Sequence, residues 1–141
     1  MKKQSLLLLA TIVFTINSIA QETNSLKNIN NMVFEYSDGN GNLYIVTQDS
    51  IFFQPVSKQM SSSGLYDGGE PSKNKITQKD FKKVYLEFES IFKNDIIQIP
   101  NRIKTSGLLI IREVGTKKKV FIIKKSDEQR NLESMLKELI K

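Results

Sequence analysis

Residues 32–54 read M-V-F-E-Y-S-D-G-N-G-N-L-Y-I-V-T-Q-D-S-I-F-F-Q. Three short segments within it alternate their side chains with period two and are rich in β-branched and aromatic residues, which is typical of strands. The connections D-G-N-G-N and Q-D-S are so short that neighbouring strands must run antiparallel. The stretch therefore predicts a three-stranded antiparallel meander, which Pro55 ends or leaves at a sheet edge.

An amphipathic helix is predicted after the meander. Thr77 followed by Asp80 matches a capping box, with aspartate in place of the usual glutamate. Behind this cap, one apolar stripe is formed by Phe81, Val84, Tyr85, Phe88, Ile91 and Phe92. The pattern predicts a helix over residues 78–93. Glu87 and Glu89 lie two apart, so they point in opposite directions and are expected on the solvated face rather than as a catalytic pair.

The second half predicts two more strands and a helix. Residues 108–114 and 119–125 carry nearly continuous apolar runs, typical of central strands with both faces covered. Ser126 with Gln129 matches a second capping box, which begins a C-terminal helix. The order βββ-α-ββ-α predicts a single α+β domain over residues 32–141. Its expected core is a five-stranded, mostly antiparallel sheet with two helices on one face.

The beginning of the chain predicts export. Two lysines are followed by an apolar run over residues 6–16, which is too short to span a bilayer as a helix. Ser18 and Ala20 supply the small side chains that signal peptidase recognises. We therefore expect a signal peptide over residues 1–20, cleavage after Ala20, a periplasmic or secreted protein and a disordered lead-in over residues 21–31. An uncleaved membrane anchor is the alternative.

The amino-acid composition limits the catalytic groups and metal ligands that the protein can use. The chain has no histidine and no cysteine, so it lacks the usual general base near neutral pH, the commonest zinc ligands and the thiol nucleophile. Without the leader, 19 basic and 15 acidic residues give a net charge of +4, which suits an acidic partner. We expect no catalysis, no cofactor and no nucleic-acid partner. A small carboxylate-dependent hydrolase is one alternative.

The D-G-N-G-N segment has two interpretations. Asp38, Asn40, Asn42 and Asp49 match positions 1, 3, 5 and 12 of an EF-hand loop. The sixth position, however, holds Leu43 where glycine makes the sharp turn, and no helical pattern flanks the loop. We therefore predict a hairpin turn built from Asp, Asn and Gly rather than a metal site.

Two loops carry the candidate binding residues. Residues 61–72 read S-S-S-G-L-Y-D-G-G-E-P-S, with Leu65 and Tyr66 as large side chains among serines and glycines. Glycines at both ends favour a loop that presents these two side chains to a partner. A lid on the core and a slack connector are the alternatives. In the second loop, residues 94–107, Arg102 is the candidate contact, because arginine is favoured at interfaces.

In plan, the chain resembles small exported bacterial proteins that combine a signal peptide, one α+β domain and a serine/glycine loop. Exported protease inhibitors without disulfides share the plan of a rigid sheet that presents a loop of small residues. We predict a non-catalytic, exported protein-binding module of inhibitor or immunity type. The alternative is an envelope module that binds anionic glycans or lipid headgroups through lysines, either Lys117, Lys118 and Lys119 at a hairpin tip or Lys79, Lys82 and Lys83 on the first helix.

Overall fold

Six strands and two α-helices form the described part of the domain. A computed structural model describes residues 29–61, 63–113 and 118–141, and the elements below all lie in the unit Met32–Lys141. The predicted signal peptide (1–20), most of the predicted lead-in (21–28) and the turn between the last two strands lie outside the described residues.

The elements follow one another as four strands, a helix, two strands and a helix. They are β1 (Met32–Ser37), β2 (Leu43–Val46), β3 (Ser50–Gln54), β4 (Ser72–Lys75), α1 (Gln78–Lys93), a 3₁₀ turn (Asp95–Ile97), β5 (Gly107–Glu113), β6 (Lys119–Ile123) and α2 (Asp127–Leu139). The sheet order is β4-β3-β2-β1-β5-β6, and every adjacent pair is antiparallel. The predicted meander and the α+β class are confirmed.

The predicted strand number is wrong, because the sheet has six strands and not five. The additional strand, β4, has the sequence S-K-N-K and pairs with β3, with Phe53 opposite Ser72 and Ile51 opposite Asn74. A strand without apolar residues shows no alternation of apolar and polar side chains, so the sequence does not indicate it. β4 is recognised only by its backbone pairing with β3. The loop thus leaves the sheet after Gln54 and re-enters it at Ser72.

The prediction that the last two strands are both central is also wrong. β5 lies between β1 and β6, but β6 is an edge strand. On β6, the Val120 side chain is 51% exposed. A continuous apolar run shows that both faces carry apolar side chains, and it does not show that both faces are covered.

The core lies between one sheet face and α1. Phe34 on β1 is fully buried, and its ring centroid lies 5.5 Å from that of Phe81 and 5.0 Å from that of Phe88. The helix has the predicted bounds, and its predicted capping box is present between Thr77 and Asp80. Neither helix in the described residues has the length and apolarity needed to cross a membrane.

The second helix packs on the same face and begins with half of a capping box. The Ser126 hydroxyl accepts a hydrogen bond from the Gln129 backbone N–H at 3.2 Å. The Gln129 side chain instead turns toward Tyr36 of β1, whose hydroxyl it contacts at 3.1 Å. Leu132 and Leu136 are fully buried. Both helices therefore cover one face of the sheet, and neither covers the other.

Candidate functional site

The turn between β1 and β2 is a closed hydrogen-bond cluster. The Asp38 carboxylate accepts the backbone N–H groups of Asn40 and Asn42, each at 2.9 Å, and the Asn42 side-chain amide at 2.8 Å. This is the use of aspartate and asparagine that a hairpin turn predicts. In the described ranges, no group of three or more acidic, histidine or cysteine residues is placed to hold a metal ion.

Asn42 joins this turn to the serine/glycine loop. Its amide nitrogen also donates to the Tyr66 hydroxyl at 2.8 Å, and its amide oxygen accepts the Val56 backbone N–H at 3.0 Å. Gly68 packs so closely that a side chain there would begin 2.4 Å from the Asn42 amide oxygen. Tyr66 is consequently half-buried and held in place, whereas Leu65 is 81% exposed.

Arg102 is attached to the same turn from the other loop. Its guanidinium Nη2 donates to the Asp38 backbone oxygen at 2.8 Å and to the Ser37 hydroxyl at 2.9 Å. Two of the three predicted binding residues, Tyr66 and Arg102, are thus connected through one turn, and Leu65 projects beside them. Partner binding by these three residues remains a prediction.

An apolar surface lies on the sheet face opposite the helices. Cross-strand register places Phe52 of β3 beside Ile45 of β2, and Ile110 of β5 beside Val120 of β6. All eight apolar residues that the strands direct to this side are only partly buried or exposed. This open face consists of Val33, Leu43, Ile45, Phe52, Leu108, Ile110, Val120 and Ile122.

The charges on the open face are mostly positive. Glu35 is the acidic residue that the described strands place there, and Arg112 engages both of its carboxylate oxygens, at 2.6 and 3.0 Å. Glu35 is 13% exposed and Arg112 is 52% exposed, so the carboxylate is the covered partner. Lys73 and Lys75 on β4 are exposed on the same side, since they pair with Phe52 and Ser50.

The described lysines among those predicted to bind an anionic surface lie in different surroundings, and binding of such a surface remains a prediction. Lys117 lies outside the described residues, and Lys118 is exposed. The Lys119 ammonium lies 4.8 Å from the centroid of the Phe92 ring, on the helix-covered side of the sheet. On α1, Lys83 pairs with Asp80 at 3.6 Å.

A polar cleft lies beside the β1–β2 turn. Its volume is about 310 Å³, and its walls are Asp38, Gly39, Asn40, Lys104, Thr105, Lys125, Gln129, Arg130, Glu133 and Lys137. Next to it, the Tyr36 hydroxyl donates to Glu133 Oε1 at 2.6 Å. Burial, and next the contact with Glu133, raises the pKa of Tyr36 far above its ordinary value, so this hydroxyl stays protonated. Gly107 lets the Tyr36 ring approach, because a side chain there would begin 2.6 Å from it.

Sequence reasoning missed both the open face and the cleft. The open face exists because both helices pack on one side of the sheet, and no single segment of sequence carries that information. Gln129 is the one residue of the cleft wall that the sequence analysis had singled out for its side chain. Its spacing from Ser126 predicted a capping box, but its side-chain amide instead donates to the Tyr36 hydroxyl beside the cleft.

A scan against protein-family models found no matching family, and searches of curated proteins and of solved structures found no match.

Proposed function

We propose that the protein is a non-catalytic, exported module that binds another protein through the open face. The supporting observation is the set of eight apolar side chains on a sheet face that neither helix covers. Apolar patches of this kind on soluble domains mark interaction sites, because leaving them in water is costly. The export and the absence of catalysis are part of the proposal and rest on the sequence.

The charges specify the partner's chemistry. The exposed cations Lys73 and Lys75 lie beside the apolar patch, and Glu35, the acidic residue that the described strands place there, is paired with Arg112. A partner with apolar side chains flanked by aspartate or glutamate complements this arrangement. Apolar contact would supply most of the affinity, and the flanking charges would set orientation and association rate.

The loops at the β1–β2 turn extend this surface. Arg102 reaches Ser37, which lies between Leu43 and Leu108 in the cross-strand register of the open face. Its guanidinium therefore lies at the end of the patch where β1 finishes. Leu65 and Tyr66 belong to a loop bound to the same turn through Asn42. In this proposal Arg102 contributes to the interface, and Leu65 is a second contact for a large partner.

The experiment is site-specific photo-crosslinking in the cells that export the protein. A photoreactive amino acid replaces Val120 on the open face or, as the matched control, Leu86 on α1, and both side chains are 51% exposed. We expect a discrete protein adduct from position 120 only, with the crosslinked segment apolar and flanked by acidic residues. Equal adducts from both positions, or none from position 120, would contradict the proposal.

Two other occupants of the open face give distinct results. If a second copy of the chain covers it, position 120 yields a crosslinked homodimer and sedimentation shows a dimer. If the chain's own N-terminal residues cover it, the crosslink is intramolecular. Either result replaces the separate protein partner.

A further inference from the structure

The outer edge of β6 is covered over only part of its length. β6 is the last strand of the described sheet, so no full strand lies beside this edge. Residues 97–99 pair with the end of β6, where the Ile99 N–H donates to the Ile122 oxygen at 2.8 Å. Pro100, which has no N–H to donate, follows directly, and none of the described residues pairs with the edge beyond it. The part of the edge beside residues 118–121 is therefore a free edge.

The free edge presents the backbone of Val120. In an antiparallel strand, the N–H and C=O groups of one residue point to the same side, and successive residues alternate between the two sides. The Ile122 oxygen points away from β5, because it accepts the Ile99 N–H. The N–H and C=O groups of Val120 therefore also point away from β5, and among the described residues they have no hydrogen-bond partner. Unpaired backbone groups of this kind are a template for another strand.

Exposed apolar side chains flank the free edge on both faces of the sheet. On the open face, Val120 is 51% exposed. On the helix-covered face, Phe92 of α1 is 37% exposed, and its ring centroid lies 4.8 Å from that of Phe121. An added strand directs successive side chains to opposite faces, so two neighbouring apolar residues would cover both places. The other edge strand, β4, offers Lys73 and Lys75 at its exposed positions instead.

Two lysines come directly before Val120. Lys118 and Lys119 are both exposed, and within the described residues no carboxylate lies within 4.0 Å of either ammonium group. An added strand meets this positive charge next to its apolar contacts, and acidic residues there make favourable cross-strand pairs. A second copy of the chain fits poorly, because pairing two β6 edges brings the lysines of both copies into one strand pair without acidic partners.

We propose that the partner of the open face adds an antiparallel strand to the free edge, with a motif of two apolar residues followed by two acidic residues. The apolar residues lie opposite Phe121 and Val120, and the acidic residues lie opposite Lys119 and Lys118. Main-chain hydrogen bonds to Val120 supply affinity, and the side chains supply specificity. This inference rests on the proposed function and deepens it, because it names the form and the sequence of the partner's contacting segment.

The first test is a titration of the purified protein with synthetic peptides, followed by NMR and calorimetry. The probe is a short peptide with blocked ends that carries valine, isoleucine and two glutamates in this order between threonines. One control peptide has an N-methyl group on the isoleucine, which removes the N–H that would pair with the Val120 oxygen. The other control has lysines in place of the glutamates.

We expect the probe to shift the backbone amide resonances of Val120 and Ile122 and to slow their hydrogen exchange. The N-methyl peptide and the lysine peptide should each bind at least about tenfold more weakly, because the first loses the strand pairing and the second reverses the charge. No binding of the probe, equal affinities for the probe and the N-methyl peptide, or resonance shifts that spare Val120 would each overturn the proposal.

A pair of variants tests the same hydrogen bond from the protein's side. Val120→Pro removes the outward N–H, and proline is tolerated on an edge strand where the N–H faces solvent. We expect this variant to bind the probe at least about tenfold more weakly. Val120→Thr keeps the N–H and the branched side chain, and its affinity should stay within about threefold of the parent. Equal affinities for the two variants would contradict strand addition. If Val120→Pro does not fold, the N-methyl peptide decides.

The results separate this proposal from the proposed function. If position 120 crosslinks to a partner in cells and Val120→Pro binds that partner as the parent does, the open face is an interface and strand addition is wrong. If the probe binds as expected but position 120 gives no adduct in cells, strand addition holds for the peptide and the proposed function is contradicted. A homodimer that forms through β6 in sedimentation would also overturn the proposal, because a second copy would then occupy the free edge.

Discussion

Replacing Asn42 with alanine should destabilise the domain strongly, because this side chain joins the β1–β2 turn to the serine/glycine loop. Asn42 is 4% exposed, and its side chain holds Asp38 Oδ2, the Tyr66 hydroxyl and the Val56 N–H. The change leaves a buried carboxylate oxygen and a partly buried N–H without partners, each costing roughly 1–3 kcal/mol. We therefore expect the free energy of unfolding to fall by about 3 kcal/mol.

Urea denaturation measures this loss. With a denaturant slope of about 1–3 kcal/mol per molar, the midpoint should fall by roughly 1–3 M. Asn40→Ala is the control in the same turn, because Asn40 is exposed and it is its backbone N–H that Asp38 binds, and this change should stay within about 0.5 kcal/mol. A loss below about 1 kcal/mol for Asn42→Ala would show that the turn does not hold the two loops.

The same reasoning tests whether the serine/glycine loop is a lid on the core. Tyr66→Phe removes one hydrogen bond and should cost about 1 kcal/mol in the parent, but much less in the Asn42→Ala background. Leu65→Ala should leave stability within about 0.5 kcal/mol, because that side chain is exposed. If Leu65→Ala instead destabilises the fold by several kcal/mol, this part of the loop is a lid on the core.

Three further predictions concern the core, the cap of α1 and the ionisation of Tyr44. Phe88→Ala should cost about 3–5 kcal/mol in urea denaturation, against about 0.5 kcal/mol or less for Leu86→Ala on the exposed side of the same helix. Thr77→Ala should cost about 1 kcal/mol at pH 7. Hydrogen bonding to Thr77 lowers the pKa of Asp80. The stability that the Asp80 carboxylate adds is therefore complete above its ordinary pKa and is lost as the pH falls through the lowered pKa. Plots of unfolding free energy against pH for the parent and for Asp80→Asn should converge below that lowered pKa. Burial, and next the Asp38 charge, raises the pKa of Tyr44 to about 12, so ultraviolet titration should show this phenol ionising late, and stability should fall as pH rises above about 10.

Local patterns predicted the elements that carry their own apolar signal. The α1 stripe and its cap gave the helix its observed bounds, and the meander followed from alternation and short turns. β4 escaped prediction because S-K-N-K has no apolar side chain, and β6 was placed centrally because its apolar run does not reveal which strand lies beyond it. Strand order is a long-range property, and period and propensity are local.

The candidate sites depend even more on long-range placement. The sequence favoured Leu65, Tyr66 and Arg102 because unusual side chains in loops are visible in one dimension. The Asp38–Asn42 contacts that connect Tyr66 to Arg102 are a tertiary arrangement, although the turn chemistry itself was readable. The open face emerges only when eight residues from five strands are placed side by side.

The most direct test of the open face is the affinity of the purified protein for the partner that crosslinks to position 120. Val120→Lys places a charge in the apolar patch, while Leu86→Lys places the same charge at a side chain of equal exposure on α1. Both variants should melt like the parent. We predict that Val120→Lys weakens binding by at least about tenfold and that Leu86→Lys leaves it unchanged. Equal affinities for the two variants would contradict the claim that the open face is the binding surface.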